Sequence, residues 1–375
     1  MSTPEKRTFP AQLVLPPRTI SGKGTAVGLI DECLVFGKRG VVVCGGSLQK
    51  HGALTEALDR QASSEGIVTF QHAGGEPTVA QLEALIDAVR AHGAEWIAGV
   101  GGGSVMDLAK ACAGLLNAPL PAIDYQNGEP IPASHVPFIA VPTTAGTGSE
   151  ATIVAVLTNT GTGTKKSIRH ASFMPRLVIL DADLLMTCPP RVIAHCGMDA
   201  FVQAVESYVS RGSTWITEQL ALKATGMIHE TLLPMFDGGK PEEAQRLLEG
   251  SYLAGLALSN ARLGLVHGLA HPLGARYHLA HGHVCAVCLP PVVSFNRNAM
   301  GDKYAALSNA VGGDFQKECE TMLERLDIAP PFAGEEVIDR QGIIDETLAS
   351  GSTAANPRDV SEADLIQIIE ALFQG

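Results

Sequence analysis

Six of the twelve histidines in this chain lie at His195 or within "HGLAHPLGARYHLAHGH", residues 267–283. His267 and His271 stand four positions apart, one helical turn, and His281 follows beyond Pro272, which is expected to end that helix. Glycine and alanine between the imidazoles leave room around them. Neutral imidazole is the commonest metal ligand and moves protons near neutral pH. A second stretch, "GMDAFVQAVESY" at 197–208, sets the carboxylate of Asp199 four positions before the amide of Gln203, among Phe201, Val202 and Val205. Side chains so spaced project in nearly the same direction and can hold one small group between them. Asp199, His267 and His281 together form a mixed nitrogen and oxygen set suited to a divalent cation with one position open for substrate. A single histidine on an apolar face is more often a packed core residue, so this reading needs a fold that brings the three together.

Two further segments could hold an anion. In "GVGGGSVMDLAK" an apolar run ends in Gly101, Gly102 and Gly103, and a helix is expected from Ser104. Glycines admit a phosphate close to the backbone, and the free N–H groups of a helix start attract its charge. In "VPTTAGTGSEAT", residues 141–152, hydroxyl side chains and two glycines follow another apolar run. Each could be an ordinary turn. Two donor-rich loops at the ends of strands in one sheet are where nucleotides bind in open α/β folds.

The elements that would carry these loops alternate through the first half. "GVVVC", "EWIAGVG", "PFIAVP" and "RLVIL" are short buried strands, and "TVAQLEALIDAVRAHG" at 78–93 is an amphipathic helix with a glycine stop. Such alternation predicts an α/β domain with a parallel sheet. Beyond Asp183 helical patterns dominate, from Pro189 onward. The expected organisation is a nucleotide-binding α/β domain at 1–183 and an all-α domain at 184–375 that carries metal and substrate, with the cleft between them as the site.

At 375 residues the chain has room for two cores, since single cores stop growing near roughly 250–300 residues. Charged residues are only 18%, which suggests surface hidden between domains or subunits. A net charge of −12 with scattered acids argues against nucleic acid as a partner. No apolar run reaches the roughly 20 residues of a membrane helix, and the opening MSTPEKRTFP lacks the apolar core of a signal peptide, so a cytoplasmic protein without membrane contact is expected. Eight cysteines without a signal sequence read as reduced, and the lone pair Cys285 and Cys288 reads as buried packing.

In order and approximate spacing, "GGGSVMDLAK", "PTTAGTGSE", "PRLVILDADL", "GMDAFVQAVESYVS" and "NARLGLVHGLAHPLGARYHLAHG" resemble the iron-containing, or group III, alcohol dehydrogenases, which share the dehydroquinate synthase-like fold. The resemblance covers nearly the whole chain. It implies an NAD(P)-dependent oxidoreductase that interconverts a small alcohol and its aldehyde or ketone, commonly as a homodimer. It assigns Gly102, Gly103, Ser104 and Asp107 to the pyrophosphate turn, and Thr143, Thr144 and Thr147 to the loop around phosphates and nicotinamide. Asp199, His267 and His281 match three ligands of a divalent metal, Fe2+ or Zn2+, and His271 matches a histidine beside the nicotinamide that passes protons.

Two departures stand out. Gln203 occupies the place of a second histidine ligand, and an amide oxygen is a poor partner for iron or zinc. Glycerol dehydrogenases of similar fold manage with one aspartate and two histidines, whereas maleylacetate reductases need no metal, so a metal-independent oxo-acid reductase is the competing expectation. Where NAD-preferring relatives carry an aspartate for the ribose hydroxyls, this chain has Gly45, Gly46 and Ser47. Without that carboxylate a 2′-phosphate is tolerated, and Ser47 and Lys50 can donate to it, so NADP is favoured over NAD. Arg262, Arg276 and His278 near the ligands are suited to an acidic substrate, unless the arginines pair with acids of the chain. Lyase chemistry of the dehydroquinate synthase kind expects more lysine and arginine, and an inactive nucleotide sensor would not be expected to retain Asp199 and the three histidines together.

Overall fold

The computed structural model describes residues 7–374, with the side chains of 61–65 excepted. Residues 1–6, which carry part of the signal-peptide expectation, lie outside the described residues. The chain divides into two compact units, Val14–Cys188 and a second unit of residues 7–13 with those from Pro189 onward.

In the first unit the strands are β1 (Thr19–Ser21), β2 (Gly40–Cys44), β3 (Ile67–Gln71), β4 (Trp96–Gly101), β5 (Phe138–Pro142), β6 (Val154–Asn159), β7 (Thr164–Arg169) and β8 (Leu177–Leu180). Six form one sheet in the order β1-β8-β5-β4-β2-β3, every pair parallel. Every residue of β2, β4, β5 and β8 is buried, which is why their sequences run apolar without alternating. The Val79–His92 helix starts at a capping box in which the Thr78 hydroxyl accepts from Gln81 N and the Gln81 side chain accepts from Thr78 N; it stops at Gly93. β6 and β7 stand apart as an antiparallel hairpin.

Topology sets where a ligand can sit. From β2 the chain moves outward to β3, and from β4 it moves the other way to β5, so the winding reverses between β2 and β4. Cys44 pairs with Val100, and Gly101 with Pro142, which puts the loops after β2, β4 and β5 side by side at the carboxyl edge, the place where open sheets bind nucleotides.

The second unit is helical, with no strand among the described residues. At its centre lies the helix Pro190–Val209, in which residues 197–209 are all buried, so its apolar residues surround it rather than forming a stripe. Around it pack Trp215–Phe236, Pro241–Ala261 and His281–Met300, and Leu265–Tyr277 packs on the last of these. The segment before Leu13 joins this unit through backbone bonds, Trp215 N to Arg7 O at 3.0 Å and Ile216 N to Thr8 O at 3.1 Å. Contrary to expectation, Pro272 does not end its helix, which runs to Tyr277. Proline leaves the carbonyl four residues back without a backbone donor. The helix is held through that break by packing on His281–Met300 and Arg340–Ala349; the Thr347 hydroxyl, whose proton goes to Ile343 O at 2.7 Å, lies 3.4 Å from the freed Gly268 O. Among the described residues no helix is long and apolar enough to cross a membrane.

Candidate functional site

In the helical unit the chemistry-bearing residues of two sequence-distant stretches meet. Asp199 comes from the central helix, His267 from Leu265–Tyr277, and His281 from the first turn of His281–Met300. His267 Nε2 lies 3.3 Å and His281 Nε2 3.7 Å from Asp199 Oδ1. Cys285 joins them, its Sγ 3.5 Å from His281 Nε2, and one ligand atom from each of these four residues lies within 4.8 Å of all the others. Asp199 and His267 are 3% exposed, whereas His281 is half-buried and His271 exposed, so the cluster opens on one side only.

Asp199 Oδ1, His267 Nε2 and Gln203 Oε1 are buried and have no hydrogen-bond partner. Orphaned buried acceptors are costly, and a cation held between Asp199 and His267 would satisfy two of these. The donor set of carboxylate, imidazoles and thiol fits a divalent transition metal. Burial alone would raise the Asp199 carboxyl; the His281 and His267 imidazoles outweigh it and hold it below its ordinary value. Burial likewise pushes the Cys285 thiol up, and His281 with His267 brings it below an ordinary thiol, whereas Cys288 is driven well up by burial.

Glu206, which the sequence reading passed over, fixes the orientation of His267. Its Oε2 accepts from His267 Nδ1 at 2.6 Å and its Oε1 from Val266 N at 2.6 Å. With Nδ1 donating, Nε2 keeps its lone pair for the cluster. Asp199, Gln203 and Glu206 fall at spacings of four and three on one helix, and Cys285 falls four after His281, so the same spacing rule that drew attention to Gln203 contained both residues. Glu206→Gln is expected to weaken metal binding by about 10–100-fold in a chelator competition; unchanged affinity would reduce Glu206 to a pin for the Leu265–Tyr277 helix.

The other histidines divide by role. His271 stacks on His281, ring centroids 5.1 Å apart and planes at 23°. His195 stacks on His283 at 4.9 Å and is not part of the ligand set, and its pKa is pushed down to about 4 by burial and the neighbouring His283 and Arg191. His278 caps its helix in the left-handed conformation, φ 52°. Arg276 has partners of its own, Asp339 at 2.6 Å, Glu346 at 2.7 Å and Pro272 O at 3.2 Å, so it is not the substrate-reading arginine it could have been. Arg262 is exposed at the end of the Pro241–Ala261 helix.

In the α/β unit, Gly102 caps the Gly103–Leu115 helix without any side-chain bond, leaving the first N–H groups of that helix unblocked by a cap. A Cβ at Gly103 would lie 2.6 Å from Thr147 Cγ2 and one at Gly102 3.3 Å from Thr144 Oγ1, so the glycine turn and the threonine loop are in contact. Thr143 N donates to Gly101 O at 2.9 Å. Asp107 works inside this cradle, its carboxylate accepting from Ser149 Oγ at 2.5 Å and Val156 N at 2.9 Å. Beneath it Lys110, fully buried, donates to Ser149 O at 2.6 Å, Ser149 Oγ at 2.8 Å, Thr152 Oγ1 at 3.1 Å and Val154 O at 2.7 Å. Burial pulls Lys110 down to about 8. Lys110 is thus the residue that shapes the loop, and a lysine inside a helical pattern gave no sign of it. After β2, neither Gly45 nor Gly46 takes a left-handed φ, and Ser47 and exposed Lys50 share one short turn.

Comparison with known proteins agrees with both halves. Residues 16–182 match the iron-containing alcohol dehydrogenase family and residues 193–373 the C-terminal region of the Fe-containing alcohol dehydrogenase family. The chain is 31% identical to a probable alcohol dehydrogenase, EutG, of Salmonella typhimurium, over 95% of this chain and 93% of that one. It is 32% identical to long-chain-alcohol dehydrogenase 1 of Geobacillus thermodenitrificans, over 97% of each. Among solved structures, the sulfoacetaldehyde reductase of Bifidobacterium kashiwanohense in complex with NAD+ superposes with a TM-score of 0.89 at 26% identity, over 96% of this chain and 98% of that one. With a parallel-sheet unit, a helical unit and family matches spanning both, the chain belongs to the iron-containing alcohol dehydrogenase family and is an NAD(P)-dependent alcohol dehydrogenase or aldehyde reductase.

Proposed function

We propose that the chain moves hydride between NADP and a small alcohol or its carbonyl partner, with a divalent metal held by Asp199, His267 and His281. The observation that carries this reading is the cluster of ligand atoms from Asp199, His267 and His281, in which Asp199 Oδ1 and His267 Nε2 are buried without a hydrogen-bond partner. A cation bound there supplies Lewis acidity toward a substrate oxygen. Glu206 keeps the His267 ring in the tautomer that presents Nε2. His271, exposed and stacked on His281, carries the proton between the substrate hydroxyl and solvent through its imidazole. The Gly102–Gly103 turn, Ser104 and the loop with Thr143, Thr144 and Thr147 bind pyrophosphate and nicotinamide, and Asp107 with Lys110 holds that loop in shape. A homodimer is part of the proposal, supported by the low charged fraction of 18% and tested by light scattering; a cytoplasmic location is proposed with it.

Gln203 in a ligand position supports a second reading, a metal-independent oxo-acid reductase. Stripping the enzyme with EDTA decides between them. Turnover lost on stripping and regained with Zn2+ or Fe2+ is expected; full activity in the stripped enzyme sinks the metal reading.

The preference for NADP rests on the absence of a carboxylate after β2 and on Ser47 and Lys50 in the adjoining turn. A Cβ at Gly45 meets only Val105 Cγ2 at 3.4 Å, an ordinary contact, so the backbone tolerates a side chain there. Gly45→Asp is expected to shift the ratio of kcat/KM for NADPH over NADH toward NADH by about tenfold or more, since like charges brought together cost several kcal/mol. An unaltered ratio would remove the ribose argument.

A further inference from the structure

Resting on the metal reading above, we propose that Cys285 is itself a metal ligand, its sulfur taking the donor position that Gln203 cannot fill with nitrogen, so that the site is an Asp–His–His–Cys centre suited to Zn2+.

Position in the fold makes the first argument. Cys285 lies one turn after His281 on the same helix, so both side chains project to the same face. Its Sγ is 3.5 Å from His281 Nε2, and it shares the 4.8 Å cluster with Asp199 and His267. Cys288, three residues further on, is equally buried and lies outside that cluster. The pair that looks like one C-x-x-C motif in the sequence therefore separates into a sulfur that faces the histidines and a sulfur that packs.

The second argument comes from the neighbours. A cysteine buried only for packing needs no lone pairs around it, yet Asp199 Oδ1 and His267 Nε2, of two residues in its cluster, are buried without partners. Those atoms call for a cation at the point Cys285 also faces. Ligand chemistry then selects the ion. Gln203 contributes at most a hard amide oxygen, and replacing an imidazole by an amide alone would leave a site poor in strong donors. A soft thiolate restores the fourth donor and shifts preference toward Zn2+, whose sites accept sulfur, nitrogen and oxygen together. Asp199, His267, His281 and Cys285 would hold the ion, which would supply Lewis acidity toward a substrate oxygen.

Cobalt reports directly on sulfur ligation. The purified enzyme is stripped, reloaded with Co2+, and compared with Cys285→Ser and Cys288→Ala. The wild type is expected to take up one equivalent of Co2+ with a near-ultraviolet sulfur-to-cobalt charge-transfer band. Cys285→Ser is expected to lose the band and to bind Zn2+ weaker by at least the factor of about 10–100 that loss of an outer partner causes, while Cys288→Ala keeps both. Co2+ bound by the wild type without the band, together with unchanged Zn2+ affinity in Cys285→Ser, overturns the sulfur ligand and leaves the metal reading standing. A wild type that binds neither ion overturns both. Should Cys285→Ser fail to fold, the presence or absence of the band in the wild type decides alone.

Discussion

His267→Ala is expected to leave the purified enzyme without its metal and to lower kcat/KM by about 1,000-fold or more, the equivalent of the several kcal/mol that a Lewis-acid metal contributes. His267 joins both layers of the site. Nε2 faces Asp199 Oδ1 at 3.3 Å, and Nδ1 donates to Glu206 Oε2 at 2.6 Å. Alanine removes a ligand and also leaves a buried carboxylate oxygen without its donor, which costs about 1–3 kcal/mol of stability. Three measurements separate these effects: metal content, thermal melting and NADPH titration. Metal content should collapse, melting should fall modestly, and NADPH binding should persist because Gly102, Gly103 and the threonine loop lie in the α/β unit. Metal retained at the wild-type level would remove His267 from the ligand set and with it the proposed centre.

Gly282→Ala is expected to damage the same centre without touching a ligand. A Cβ at residue 282 would lie 2.1 Å from His195 O and 3.3 Å from Asp199 Cβ. The first contact is with backbone, so no rotamer change relieves it; the helix His281–Met300 must move away from the central helix. That movement separates His281 and Cys285 from Asp199. Overpacking of this kind costs about 1–3 kcal/mol or more, and the metal affinity should fall together with the melting temperature. A normal melt with normal metal content would show that the two helices can shift without loss, and that the site tolerates more movement than its orphaned atoms suggest.

How much of this was legible beforehand depends on the range of the interaction. The parallel sheet was readable because β2, β4, β5 and β8 are buried on both faces and so write continuous apolar runs. The Val79–His92 helix was readable because its capping box and its glycine stop lie within the segment itself. Pro272 misled for the complementary reason: the helices that hold its own helix through the break, His281–Met300 and Arg340–Ala349, lie further along the chain.

The candidate site divides in the same way. Residue type and helical spacing singled out Asp199, Gln203, His267, His271 and His281, since a turn of helix fixes which neighbours share a face. The same spacing reaches Glu206 and Cys285, yet a buried acid and a buried thiol on apolar helices look like packing until their partners are known. Only the tertiary structure brought the central helix against Leu265–Tyr277 and His281–Met300, turned Glu206 toward His267 Nδ1, set Cys285 beside His281, and gathered Asp199, His267 and His281 into one cluster. It also tied Arg276 to Asp339 and Glu346, and placed Lys110 under the threonine loop. Local periodicity thus determined which elements form and which residues could do chemistry; long-range packing decided which of them meet, because a contact between distant segments depends on how whole helices and strands fit and leaves no local mark in the sequence.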